Sequence, residues 1–253
     1  KIDASSRHKK LHKFLSGRKG RILDVGCGKG LLLKIFKDAG WEVAGIELSE
    51  DSARYASETL GLEVWSKPIE NYNIYDNSFD VITFFHSLEH LKEPLLYLKI
   101  AKRLLKTDGS LIIEVPRFNS SYSKIFKDNW FHLDVPRHLF HFDDQSLEKI
   151  ITSSGFYVLK RRKYALMYDS FGALQSILNL ICSEYNLLND INTNRIRTKD
   201  IMKSEQTRLK IDLVISFLLQ IFLFPPLFII AAFLAIFNNG GTLTFYAKKN
   251  SNK

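Results

Sequence analysis

Ten residues near the start, Arg21-Ile22-Leu23-Asp24-Val25-Gly26-Cys27-Gly28-Lys29-Gly30, constrain the fold more than any other stretch. A short apolar run leads into Asp24 and then into three glycines at alternating positions. Leu31, Leu32, Leu33, Ile35 and Phe36 follow, apolar on one helical face. That order reads as a buried strand, a glycine turn and a helix start. Glycines in such a turn let the backbone approach a ligand where a Cβ would collide. The helix N-terminus beyond offers unpaired N–H groups and a positive dipole end. The turn therefore suits a ligand carrying a carboxylate or hydroxyl groups.

The spacing is G-x-G-x-G with Asp24 ahead of it, not the dinucleotide pattern G-x-G-x-x-G. Residues 41–46 read as a second strand ending in Glu47, with Leu48 beyond it. A carboxylate at that strand end can accept from both hydroxyls of a ribose. Asp24, Gly26, Gly28, Gly30 and Glu47 together resemble the class I S-adenosylmethionine-dependent methyltransferases. Residues 24–30 match that family's first motif and Glu47 its ribose-binding acid. A plain α/β domain with a tight turn and a nicotinamide-binding domain are the competing readings. The resemblance implies an α/β, Rossmann-like, seven-stranded sheet with an antiparallel last strand. It also implies S-adenosyl-L-methionine as cofactor. No metal site is expected.

Further along, residues 62–65 read as a third strand. The turn after it, 66–71, lies where the family places the adenine. Ile69 would touch the ring there. Glu70 would accept from the exocyclic amine or stand as an ordinary exposed acid. Phe-Asp-Val-Ile-Thr-Phe-Phe, 79–85, reads as a buried fourth strand. The next residues, His86-Ser87-Leu88-Glu89-His90-Leu91, resemble an H-x-L-E-H-L segment of the family, which would set Phe85 and His86 beside the methionine part of the cofactor. Cys27, inside the glycine turn, would pack against the cofactor, with no obvious activating partner. A helix from Pro94, a fifth strand at 110–115, a helix after Asp143 and a sixth strand at 156–163 follow.

Between strand five and that helix lies a long aromatic and basic loop, 119–142. Long loops in compact domains tend to carry function. This one follows a strand's C-terminal end, where open α/β sheets bind ligands. Its W-x-x-L-D-x-P-R-H-L-x-H-F pattern resembles a methyltransferase subgroup that includes many enzymes of surface glycans and other membrane-associated products. Trp130, Asp134 and Arg137 are therefore candidate substrate residues. The guanidinium of Arg137 suits a phosphate or carboxylate, or forms a surface salt bridge. Methyl transfer to a neutral oxygen calls for a general base, most often histidine. His86, His90, His132, His138 and His141 are the candidates; His138 and then His90 are favoured because both should lie near the pocket mouth.

One stretch is foreign to a plain α/β domain. Residues 213–237 are apolar except for Ser216 and Gln220, and Pro225-Pro226 interrupts the middle. The alternating residues 242–248 make the natural seventh strand, so both ends of the stretch must return to one domain. The expectation is a helix–break–helix hairpin dipping into one leaflet. A buried hairpin covering the sheet, or a dimer interface, is the alternative. Basic residues flank it, Arg195, Arg197, Lys199, Lys203, Arg208 and Lys210 before and Lys248-Lys249 after. The net charge of +9 calls for an anionic partner. The N-P-P-Y type of motif that nucleic-acid methyltransferases carry after strand four is not present, which argues against nucleic acid and leaves an anionic lipid surface or a phosphorylated substrate.

The expected organisation is an N-terminal helix (1–20), a cofactor-binding domain (21–164 with 242–248) and a helical insertion (165–241). Two cysteines suit a reducing compartment. The expected function is O-methylation of a lipid-linked or amphipathic acceptor such as a glycan intermediate or a quinone-like lipid. The protein would sit peripherally on the cytoplasmic face of the membrane. Two alternatives stand beside it: a methyltransferase of a soluble sugar or small molecule whose hairpin serves homo-oligomer assembly, and a non-catalytic membrane adaptor on the same fold.

Overall fold

The computed structural model describes residues 2–193 and 195–250. In chain order the elements are α1 (Ile2–Phe14), β1 (Arg21–Val25), α2 (Leu31–Asp38), β2 (Glu42–Ile46), α3 (Glu50–Arg54), β3 (Glu63–Trp65) and β4 (Phe79–Phe85). Then come α4 (Pro94–Leu104), β5 (Leu105–Pro116), α5 (Ser121–Phe126), α6 (Asp144–Ser153) and β6 (Phe156–Arg162). The chain closes with α7 (Leu166–Ile181), α8 (Leu187–Asn192), α9 (Thr198–Lys203), α10 (Thr207–Ile236) and β7 (Thr242–Lys249).

The seven strands form one sheet in the order β3-β2-β1-β4-β5-β7-β6. β1 pairs in parallel with both β2 and β4, and β4 with β5. The last strands run antiparallel, and β7 lies between β5 and β6. The central strands are apolar on both faces, as parallel strands covered by helices must be: Ile22, Leu23, Val81, Ile82 and Phe84 are all buried. α2 turns Leu33 and Phe36 into this core beside Trp41, and Gly40 (φ +85°) ends the helix region in a left-handed residue. Ser49 caps α3 by accepting from the Ser52 amide.

Two compact units divide the chain. The first holds Lys1–Val115, Asp144–Arg161 and Thr244–Lys253; the second holds Pro116–Asp143 and Arg162–Leu243. In the second, α7 and α10 pack side by side, with Leu174 and Leu178 meeting Ile215, Leu219, Leu223 and Leu227. Buried Asp212 pins the start of α10 to the turn after α7, accepting from the Ser183 amide at 2.8 Å and from the Ser183 hydroxyl.

The apolar stretch departs from the expected hairpin. α10 is one continuous helix that runs through Pro225 and Pro226. Each proline removes a ladder hydrogen bond and crowds the preceding turn. Leu223, Phe224 and Leu227, on either side of the pair, pack against α7, and this burial offsets the local loss. The opposite face stays apolar and uncovered: Ile211, Val214, Leu218, Ile221, Phe222, Ile229, Phe233 and Ile236 are all exposed. Only 11% of the helix's most apolar window is buried.

Candidate functional site

The glycine turn is held by the end of β2. The amides of Gly26 and Cys27 donate to the Ile46 carbonyl at 2.7 and 3.0 Å. Gly26, Gly28 and Gly30 all have positive φ (+81°, +54° and +73°), a region L side chains avoid. A Cβ on Gly26 would lie 2.5 Å from that of Ser87, whose hydroxyl donates to the Val25 carbonyl. A Cβ on Gly30 would strike Leu62. A Cβ on Gly28 meets nothing within 4 Å, so the backbone there faces open space. Glu47, at the end of β2, turns back over the loop: Oε2 accepts from the Gly28 amide and Oε1 from the Ser49 amide, each at 2.8 Å.

Two cavities meet at Gly26. One, of 250 Å³, is lined by Val25, Glu47, Leu48, His86, His90 and Tyr97 among others. The other, of 240 Å³, is lined by Arg7, Asp24, Cys27, Lys29 and Phe85 among others. The structure thus gathers most of the cofactor residues expected from sequence around one turn. Ile69 is the exception. It is 1% exposed, in a short 3₁₀ turn, and its apolar side chain goes into the core instead of lining either cavity. Tyr97 of α4 lines the cavity wall instead, and burial together with the neighbouring Glu70 pushes its phenol up to about 12.

Asp24 is buried and accepts from the Thr83 hydroxyl at 2.6 Å. Burial pushes its carboxyl up to about 6, against the lowering effect of Thr83 and Arg7. Burial and the nearby Asp24 and Glu47 carboxylates raise the Cys27 thiol, so it is no nucleophile.

Beside these cavities sits a buried charge cluster. His86, in a left-handed conformation (φ +52°), has Nδ1 3.5 Å from Glu89 and Nε2 3.5 Å from Glu114. Burial alone would lower its pKa, but the two glutamates outweigh it and the imidazole is raised. Glu114 Oε1 also accepts from Arg7 Nε and Nη2 at 3.0 and 2.7 Å, and Oε2 accepts from the Thr244 hydroxyl at 2.8 Å. The Arg7 guanidinium lies 4.6 Å from the centre of the Phe85 ring. Sequence reasoning missed Arg7 and Thr83. The bond from Arg7 to Glu114 joins residues 107 apart in sequence, and no local pattern signals it.

The aromatic loop belongs to the second unit and folds on itself. Trp130 is 2% exposed and packed with Tyr122 and Ala173. Asp134 accepts from Arg137 Nε and Nη2 at 3.0 and 2.6 Å, so Arg137 adopts the salt-bridge arrangement. His138 is 9% exposed, with Nδ1 2.7 Å from the His132 carbonyl and Nε2 3.9 Å from Asp134. His132 stacks on Tyr168, and His141 meets the Leu133 carbonyl at 2.8 Å. His90, by contrast, is exposed and lines the same cavity as Glu47.

Comparison with known proteins decides the family. Residues 4–161 match the family model described as "Methyltransferase domain". The chain belongs to the class I S-adenosylmethionine-dependent methyltransferases. It is 37% identical over 101 residues to a ubiquinone biosynthesis O-methyltransferase of Actinobacillus pleuropneumoniae, covering 36% of this chain and 43% of that protein. It is 32% identical over 127 residues to the protein of the same name from Idiomarina loihiensis, covering 43% and 52%. The matched segment thus spans about half or less of these relatives. Among solved structures, an S-adenosylmethionine-dependent methyltransferase from Archaeoglobus fulgidus superposes with a TM-score of 0.58 at 22% identity, covering 97% of this chain and 94% of that one. Phosphoethanolamine N-methyltransferase 2 of Haemonchus contortus, bound to S-adenosyl-L-methionine, gives 0.58 at 19% identity, covering 94% and 51%. These two likenesses concern the fold.

The cofactor of this methyltransferase family is S-adenosyl-L-methionine, and the residues present fit it. Open space in front of Gly28 admits a close ligand, and a carboxylate stands fixed beside it. The second cavity carries two cations, Arg7 and Lys29.

Proposed function

We propose that this protein O-methylates a lipid-linked or amphipathic acceptor, a glycan intermediate or quinone-like lipid, at the cytoplasmic face of a membrane. The observation that carries the membrane part is the outer face of α10, apolar from Ile211 to Ile236 and uncovered. Thirty residues make a helix of about 45 Å. Because its other face packs on α7, the helix is suited to lie in the interface plane and not to cross it. Basic residues ahead of it, among them Arg197, Lys199 and Lys203, would meet anionic headgroups at about 1 kcal/mol each. The resemblance to ubiquinone biosynthesis O-methyltransferases supports oxygen as the accepting atom and a quinone-like acceptor. The reduced cysteines Cys27 and Cys182 are consistent with a cytoplasmic location.

In this reading Glu47 accepts from the ribose hydroxyls. The glycine turn admits the cofactor's methionine end, and Arg7 and Lys29 hold its carboxylate. Asp24, disfavoured as an anion by burial, is offset by the cofactor's ammonium. Bound S-adenosyl-L-methionine supplies an electrophilic methyl group on a sulfonium. His90, exposed at the cavity, takes the acceptor's hydroxyl proton. Leu48, Phe85 and His86 exclude water from the cavity walls.

The test is an untargeted comparison of lipid and glycan extracts from cells with and without the protein. A species heavier by one CH₂ in the lipid fraction is the expected result. The same shift confined to water-soluble metabolites would move the acceptor to a soluble molecule and α10 to an assembly role. Cofactor binding with no methylated product in any fraction would leave an adaptor.

A further inference from the structure

The cofactor cavities open at the C-terminal ends of the parallel strands. At the other end of the first unit lies a larger cavity, of 590 Å³. Asp80 at the start of β4, Trp41 just before β2 and Arg18 and Lys19 just before β1 place it there. Its volume falls in the range of small-molecule sites, about 300–1,000 Å³.

Charge and apolar surface are segregated within it. Phe14 and Leu15, half-buried at the end of α1, form an apolar floor. Four cations stand on the walls, Arg18, Lys19, Lys106 and Lys248, against two acids, Asp80 and Asp108. Two of the cations are occupied: Lys106 pairs with Asp80 at 2.8 Å, and Lys248 Nζ donates to the Asp108 carbonyl at 3.2 Å. Arg18 and Lys19 form no ion pair among the described residues, and both are exposed. A guanidinium fork beside an ammonium matches the oxygens of a phosphate.

From this arrangement we infer that the cavity is a second binding site, separate from methyl transfer, for an organic phosphate with an apolar substituent. The phosphate meets Arg18 and Lys19, and the apolar part lies on Phe14 and Leu15. With four cations against two acids, the walls keep a positive balance that favours an anion. The same chemistry is offered by an anionic phospholipid headgroup and by a free phosphate ester.

Hexyl phosphate is a probe with both features. Titrated into the full chain by calorimetry, it should bind saturably and at least tenfold more tightly than inorganic phosphate. The double variant Arg18→Glu, Lys19→Glu should weaken it at least tenfold while leaving affinity for S-adenosyl-L-methionine and the melting temperature unchanged. Phe14→Ala, a milder change, should reduce affinity for hexyl phosphate but not for inorganic phosphate. No saturation, equal affinity for the two phosphates, or undiminished binding in the double variant would overturn the inference. Phosphatidylcholine vesicles containing phosphatidic acid then separate the sources. Displacement of bound hexyl phosphate assigns a lipid headgroup and its retention a free ester, and either result upholds the site.

Discussion

Glu47 and Gly28, nineteen residues apart, are joined by a 2.8 Å hydrogen bond from the glycine amide to the carboxylate. The bond orients the acid at the end of β2 from the turn that follows β1. Removing the acid loses charged hydrogen bonds, each worth about 1.5–3 kcal/mol. Glu47→Ala should therefore weaken S-adenosyl-L-methionine binding by roughly 10- to 100-fold. Gly28→Val should abolish it, since the side chain enters the open space and φ of +54° is strained for a branched residue. Calorimetry giving wild-type affinity for both variants would dismiss this cofactor site.

Asp24 should make the ligand-free protein sensitive to pH. Its folded pKa, about 6, lies above the ordinary value of 3.8. The stabilising contribution is thus complete below the ordinary value and lost as pH rises through the folded one, a swing on the order of 3 kcal/mol. Asp24→Asn keeps an oxygen for the Thr83 hydroxyl but cannot ionise. The variant should melt near wild type at about pH 4 and above it at about pH 7.5. Equal melting temperatures at both pH values would show that the buried acid costs nothing when charged.

The two favoured histidines should now separate. His90→Ala should keep cofactor affinity and lose turnover by roughly 10²–10⁴-fold. His138→Ala removes a buried hydrogen bond to the His132 carbonyl and should lower stability by about 1–2 kcal/mol. Turnover measured at saturating cofactor, beside chemical denaturation, distinguishes them. If His90→Ala retains activity within threefold of wild type, it is not the base.

Membrane binding should follow the exposed face of α10 alone. Ile221→Glu with Phe222→Glu should release the protein from anionic liposomes while leaving its melting temperature near wild type, because both side chains point away from α7. Leu219→Glu, on the packed face, should unfold the second unit instead. Sedimentation of the exposed-face variant with vesicles as fully as wild type would reject an interfacial helix.

Most of the sheet was legible because its signals are local. Residues 79–85 form a strand as their mainly apolar run implies, and β7 falls where 242–248 alternate. Asp24, the glycines and Glu47 came together because a strand–turn–helix unit and the next strand are short-range geometry. What escaped depends on distant partners. Arg7 reads as one basic residue among many on α1, and Glu114, far along the chain, gives it a place. Trp130 and Arg137 read as site residues from the composition of a long aromatic loop; their partners in the fold, Ala173 for Trp130 and Asp134 for Arg137, have no local signal. The proline pair predicted a break that packing on α7 overrode.

The position of β7 gives the chain an order of events during synthesis. β6 leaves the ribosome about eighty residues before the strand that separates it from β5. At 5–20 residues per second that interval is roughly 4–16 s. α10 emerges within it, apolar face outward, while the sheet still lacks its seventh strand. A nascent chain whose greasiest helix appears before its fold can close is at its stickiest while still tethered. A lipid surface that captures α10 at that moment shields it from other nascent chains, so synthesis beside a membrane should raise the yield of folded protein.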